Sequence, residues 1–278
     1  MSNLTEKTRY DKNGIGKEVY FIDENRLMQG LCKYYNNYHL EFQCYYKDDK
    51  LDGEFIIYNY QGEISEIINY KDDKKHGLNK KIYDNGNLEE TCYYVDNIKH
   101  GPCKTYHESI NERLESECNY NNDIIDGDQK YYNLNGELIG IQTYVNGLLN
   151  GYYKRTCRDG LRIEGNYLSN KLHGPYTEYL NDILILDCNY INGNKDGFER
   201  KFNNKGEILH EYIFKNGRRN GLCTEYKKNM IKSQKIYEKG KIIQEIIWFY
   251  NLTQLYHTMN IIRWELILNE FNINSHRR

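Results

Sequence analysis

Aromatic and aliphatic residues recur along this chain in short alternating runs, each broken by a polar pair and closed by a glycine. The phrase "YVNGLLNG" at residues 144–151 returns as "YINGNKDG" at 190–197 and as "FKNGRRNG" at 214–221. In Val145-Asn146-Gly147-Leu148, Asn-Gly stands between two hydrophobic residues. A type I′ turn needs φ > 0 at both central positions, which Asn and Gly accept cheaply, so the phrase predicts a two-residue hairpin turn. The aromatic ahead of the turn suits a strand. The second glycine is expected to open the next strand.

Counting the phrase fixes a period. The anchor glycines are Gly30, Gly53, Gly77, Gly101, Gly127, Gly151, Gly174, Gly197 and Gly221, spaced 23 to 26 residues apart. From Gly53 onward an aromatic stands seven residues earlier, as Tyr46, Tyr70, Tyr94, Tyr120, Tyr144, Tyr167, Tyr190 and Phe214. Six residues before each aromatic stands Leu or Ile, from Leu40 to Ile208. A further copy at 231–237 keeps this pattern but has Gln244 in place of its glycine. All length variation falls in the opposite loop, as at 107–113, so the aromatic–turn–glycine hairpin reads as the rigid part. Each repeat is predicted to be two short antiparallel strands. The repeat aromatics should be the main glue, so that Tyr144→Ala is costly and Tyr38→Ala, outside the pattern, is not.

Register follows if no bulge intervenes: Cys92 then faces Gly101, and Cys118 faces Gly127. Cys44 and Cys188 share that slot, and Cys32, Cys103 and Cys223 fill another, two residues after the anchor. Periodic placement reads as small apolar filler. No C-x-x-C pair or zinc-finger spacing occurs, so reduced, metal-free thiols are expected. His76, His100 and His173 precede anchors where other copies have Asp or Asn, and read as turn residues.

The pattern Gly-x4-Tyr, a turn, then Leu-x5-Tyr-x-Asn-Gly-x3-Gly resembles the MORN repeat family, in the variant with "YxNGxxxG" cores. The resemblance covers about residues 30–244. It implies an all-β, elongated, twisted antiparallel sheet of about nine hairpin repeats of 23–24 residues, acting as a scaffold for protein–protein contact. Some members of the family are linked to membrane lipids, and a few carry an attached enzyme domain. The 29 residues before Gly30 and the 34 after Gln244 are expected to hold no such domain. Composition is similar to that of MORN-repeat proteins of amoeba-infecting giant DNA viruses. From residue 30 to 250, about eighteen strands at roughly 4.8 Å each would extend about 85 Å.

The ends break the pattern. Residues 1–29 carry a degenerate copy, expected to be an N-terminal cap. In 251–278, Leu252, Leu255, Met259, Ile262 and Leu266 follow helical spacing after a potential N-cap at Asn251. They predict a short C-terminal helix that caps the open sheet end.

Charge changes the picture only locally. Lys plus Arg number 38 against 40 Asp plus Glu, which argues against a nucleic-acid binder. Residues 200–241 carry a net +8, while 1–199 carry −10. No 18-residue apolar run and no leader-like N-terminus are present, so a cytoplasmic chain, or a virion one if viral, is expected. No G-x-S-x-G, P-loop or H-E-x-x-H occurs, and no carboxylate pair escapes the repeat, so no catalytic residue, cofactor or metal is expected. The leading expectation is a non-catalytic scaffold for a protein partner, a second copy included. Its contact residues are expected at Arg218, Arg219, Lys227, Lys228 and Trp264. The alternative is a peripheral binder of anionic lipid through 200–241.

Overall fold

The structure is a computed structural model and describes residues 4–108 and 112–247. The expected helix at 251–271 and Trp264 lie outside the described residues. Among those described, every regular element is a strand, 25 in all. The strand pairings are antiparallel between strands close in the chain, as an all-β hairpin repeat requires. The chain divides into two compact units. One comprises Met1–Cys157 with Tyr167–Asn170, the other Arg158–Asn166 with Lys171–Arg278.

The hairpin turns fall where the phrase places them. Asp48 and Asp49 have φ of 51° and 64°, Asp96 and Asn97 of 50° and 73°, and Asn146 and Gly147 of 50° and 76°. In each case both central residues are left-handed, as type I′ demands. The second turn residue also carries a load that the phrase alone does not reveal. Asp73 Oδ1 accepts the Leu51 N–H at 2.8 Å, and the Asp73 N–H donates back to the Leu51 carbonyl at 3.0 Å. Asn97 and Lys75, Asp123 and Lys99, and Asn170 and Leu149 repeat this reciprocal pair. Each turn is thereby stitched to the hairpin before it. Where the second turn residue is glycine, the side-chain acceptor moves. Asp126 Oδ1 accepts the Asn146 N–H at 3.2 Å, and Asp196 Oδ2 accepts the Asn216 N–H at 3.0 Å. His173 Nδ1 lies 3.4 Å from the Asn192 N–H in the same role, but His173 itself lies within the strand Lys171–Leu180 and not in a turn, contrary to its expected place.

The bulge-free register does not hold. Tyr94 pairs with Lys99, but Cys92 pairs with Cys103, so one residue, Tyr93, opposes three, His100 to Pro102. The two-residue strands Lys50–Leu51, Lys74–Lys75, Ile124–Ile125 and Arg218–Arg219 are pieces that this bulge cuts from the strand that follows. The anchor glycine sits at its apex, with φ of +122° at Gly53 and +106° at Gly101, where side chains are strained. The residue before it keeps the bulge bonded, as when the Asp52 N–H donates to the Tyr45 carbonyl at 2.9 Å. Cys92 therefore does not face Gly101, nor Cys118 Gly127. Gly101 pairs instead with Tyr120 and Gly127 with Tyr144, the aromatics of the following hairpins.

The shifted register brings both cysteine slots into one file. In the first unit Cys32 pairs with Cys44, Phe55 with Ile68, Asn79 with Cys92, Cys103 with Cys118, and Gln129 with Gln142. In the second, Tyr176 pairs with Cys188, Cys188 with Glu199, and Glu199 with Tyr212. These positions supply most of the core: Cys32, Cys44, Ile68, Asn79, Cys92, Cys103, Cys188, Glu199 and Tyr212 are all buried. Beside this file runs a second one of the repeat aromatics. Tyr94 alternates with Lys75 and Lys99, whose ammonium groups lie 5.6 Å and 5.1 Å from the Tyr94 and Tyr120 ring centres. The ammonium groups thus face the ring planes as cation–π partners.

At the N-terminus the chain adds a strand that the hydrophobic pattern does not announce. Thr5–Tyr10 pairs along its whole length with Gly16–Ile22. Every residue of it is exposed, so backbone pairing rather than apolar burial holds it.

Candidate interaction surface

The repeat glycines and aromatics form the frame of the sheet. Gly53, Gly77, Gly101, Gly127, Gly174, Gly197 and Gly221 each pair with the aromatic of the next hairpin, from Tyr70 to Tyr237. Gly151 shares the left-handed backbone, with φ of +133°. Tyr46 and Tyr190 pair with Gly30 and Gly174, and Tyr167 meets Tyr153 edge-on at 5.5 Å. Their role is packing.

The basic contact residues are not brought together. Arg218 lies beside the Asn216–Gly217 turn, in a hollow of about 460 Å³ with Lys215 and Lys239. Lys227 ends the strand Gly221–Lys227 and Lys228 follows it, so both lie the length of this 7-residue strand, roughly 20 Å, from the turn end where Arg218 sits. Arg219 is already engaged: its guanidinium lies 3.9 Å from the Tyr212 ring centre and donates to Tyr237 Oη at 3.2 Å. Arg219 therefore belongs to the packing of its unit, and the others are split between two edges.

A different surface does converge. In the first unit, Leu40, Phe42, Phe55 and Ile57 floor a hollow of about 730 Å³. Phe42 stacks between Tyr34 and Phe55, at ring-centre distances of 5.0 Å and 4.9 Å. Asn36, Asn37, His39, Glu41 and Asn59 make a polar rim, and Asn36 Nδ2 donates to Glu41 Oε1 at 2.6 Å. Tyr60, 93% exposed, stands on the rim. At Asn37 the hollow adjoins a second one, of about 510 Å³, lined by Tyr10, Ile15, Tyr35 and Tyr38. Tyr38 is 97% exposed, being the second residue of an Asn37–Tyr38 turn. Phe55 stands two residues after Gly53, in the slot that cysteine fills in other repeats, and Phe42 at no invariant position, so only the large ring in place of a small residue could have pointed to this surface.

The second unit holds a polar cluster with a structural role. Glu199, 7% exposed, is paired with Lys195, and His210 Nε2 lies 3.2 Å from its carboxylate. These contacts, His210 first, pull the Glu199 carboxyl down to about 2 against the opposing effect of burial. A depressed carboxyl contributes stability that is present above its unfolded pKa near 4.5 and is lost as pH falls toward 2. Glu199→Gln should therefore cost about 2–3 kcal/mol at neutral pH and almost nothing near pH 2. Urea denaturation across that range checks this, and an equal cost at both ends would contradict it.

No family model matches the sequence, and no curated protein matches it. Among solved structures, the chain is similar to the Photorhabdus luminescens Tc holotoxin pore at 13% identity and a TM-score of 0.21. That match covers 88% of this chain and 16% of the other. So low a score carries no argument about fold or function.

Proposed function

We propose that this chain is a non-catalytic, MORN-like repeat scaffold that binds a protein partner through the aromatic hollow of its first unit. The observation that carries this is the apolar floor of Leu40, Phe42, Phe55 and Ile57 beneath a polar rim, flanked by two nearly bare tyrosines. Binding surfaces combine an apolar pocket with a few orienting polar groups, and tyrosine gives large contact area at low entropic cost. A partner segment bearing an aromatic or aliphatic side chain fits such a floor. The separation of Arg218 from Lys227 and Lys228 weakens the case for one basic contact patch, whether for protein or for anionic lipid.

Site-specific photocrosslinking tests the reading. With p-benzoylphenylalanine at position 60 or at position 227 in the native source, the partner should be captured from position 60. Tyr38→Ala with Tyr60→Ala should reduce recovery at least tenfold while the fold stays intact. Capture from 227 only, abolished by Lys227→Glu with Lys228→Glu, would place the contact at the basic edge instead. Binding to anionic liposomes that those same changes abolish would favour the lipid reading.

A further inference from the structure

Cys92, Cys103 and Cys118 occupy directly paired positions on three successive strands, Leu88–Val95, Ile98–Tyr106 and Leu114–Asn121. All three are free thiols. Cys92 and Cys103 are 1% and 6% exposed. Glu90, two residues before Cys92 on the same face, brings its carboxylate to them, so that one carboxylate oxygen and the two sulfurs lie within 4.8 Å of one another. Among the described residues this is the one such group of three. We propose that Cys92, Cys103 and Glu90 bind a single divalent d10 cation, zinc(II), with Cys118 as the nearest further thiol.

The geometry is close to what such an ion needs. Zinc takes sulfur at about 2.3 Å and carboxylate oxygen at about 2.1 Å, which sets its ligands roughly 3.6–3.8 Å apart. The three ligand atoms already lie within 4.8 Å of one another, so ligation asks for a contraction of about 1 Å at most. Borderline-soft zinc suits a mixed thiolate and carboxylate set.

Charge closes as well. Two thiolates and a carboxylate carry −3, and zinc with the Lys99 ammonium carries +3. Lys99 is held near by its contact with the Tyr120 ring, its ammonium 5.1 Å from the ring centre. A monovalent cation would leave the site negative. Binding converts Zn²⁺ and two thiols to a zinc dithiolate with release of up to two protons. Tyr94 and Tyr120 also face the row and stay protonated, raised by burial.

A partial copy of this arrangement provides an internal control. Cys32 pairs with Cys44, and Cys32 Sγ lies 3.6 Å from Glu18 Oε1. There, however, Arg9 holds the other Glu18 oxygen at 2.5 Å, and no third thiol follows.

The test uses the full chain, reduced and anaerobic, titrated with cobalt(II) and separately with zinc(II). The wild type should develop a near-ultraviolet thiolate-to-cobalt band, and native mass spectrometry should show one zinc per chain. Cys103→Ser should weaken binding at least 100-fold, and Glu90→Gln, which spares the thiols, at least 10-fold. Cys32→Ser should change neither. Far-ultraviolet circular dichroism verifies that each variant is folded, and should Cys103→Ser unfold, Glu90→Gln decides. A fully reduced wild type with all eight thiols titratable that takes up neither metal overturns the proposal, as does a folded Cys103→Ser or Glu90→Gln variant that binds like wild type.

Discussion

Replacing Tyr212 by alanine should destabilise the second unit by about 4 kcal/mol, as for other buried aromatics cut to alanine. Tyr212 is 8% exposed and, among the described residues, is the one aromatic in the buried core. Its ring stacks on His210 at 4.0 Å and carries the Arg219 guanidinium at 3.9 Å on centre. Its hydroxyl donates to Glu225 at 3.2 Å. Truncation opens a void and strips Arg219 of its platform. Tyr212→Phe keeps the ring and should cost only about 1 kcal/mol, the net worth of one hydrogen bond. Tyr38→Ala, at a position 97% exposed, should cost almost nothing. Chemical denaturation of the three variants reads the order. Tyr144 lies between these extremes, being half-buried with its hydroxyl on Gln142 at 2.7 Å, so its truncation should fall below that of Tyr212.

Gly53→Ala is the second large effect, expected at about 3 kcal/mol. Two independent terms combine. At φ of +122° an L side chain is strained, and a Cβ there would stand 3.1 Å from the Tyr45 Cβ. Because that neighbour is the base of a side chain on a paired strand, it cannot swing aside. Gly62 is the control: its φ is +82°, but a Cβ there meets nothing within 4 Å, so Gly62→Ala should cost about 1 kcal/mol. Thermal or urea unfolding separates the two. Equal costs would mean that only the backbone angle matters and that the bulge is looser than described.

The strands and their turns were legible because turn chemistry is local. Asp-Asp, Asp-Asn and Asn-Gly at a fixed offset from an aromatic all demand the same left-handed pair, and each such pair adopts it. The bulge was not legible from spacing. Seven residues from aromatic to glycine accommodate a two-residue turn with or without it, and a glycine opening a strand looks like one at a bulge apex. A signal was nonetheless present. An isolated glycine inside a strand pattern marks bulges, and cysteine recurred in two slots that only a bulge sets face to face. The stitching of turns by Asp73, Asn97 and Asp123 was hidden for another reason. The same residues already satisfy a turn preference, so nothing in the pattern called for a second role. The strand Thr5–Tyr10 has no buried face, and a hydrophobic pattern cannot report an element held by backbone pairing alone. The aromatic hollow is not marked by charge, whereas the basic segment is, and its members lie at separate ends of the strand Gly221–Lys227.

The bulged register underlies the core file, the thiol row and the role of every anchor glycine, so it is the claim to test first. Cross-strand nuclear Overhauser contacts in protein labelled at cysteine and glycine read it directly. The account predicts backbone contacts between Cys92 and Cys103 and between Cys103 and Cys118, with Gly101 contacting Tyr120. Contacts from Cys92 to Gly101, and from Cys118 to Gly127, would contradict it.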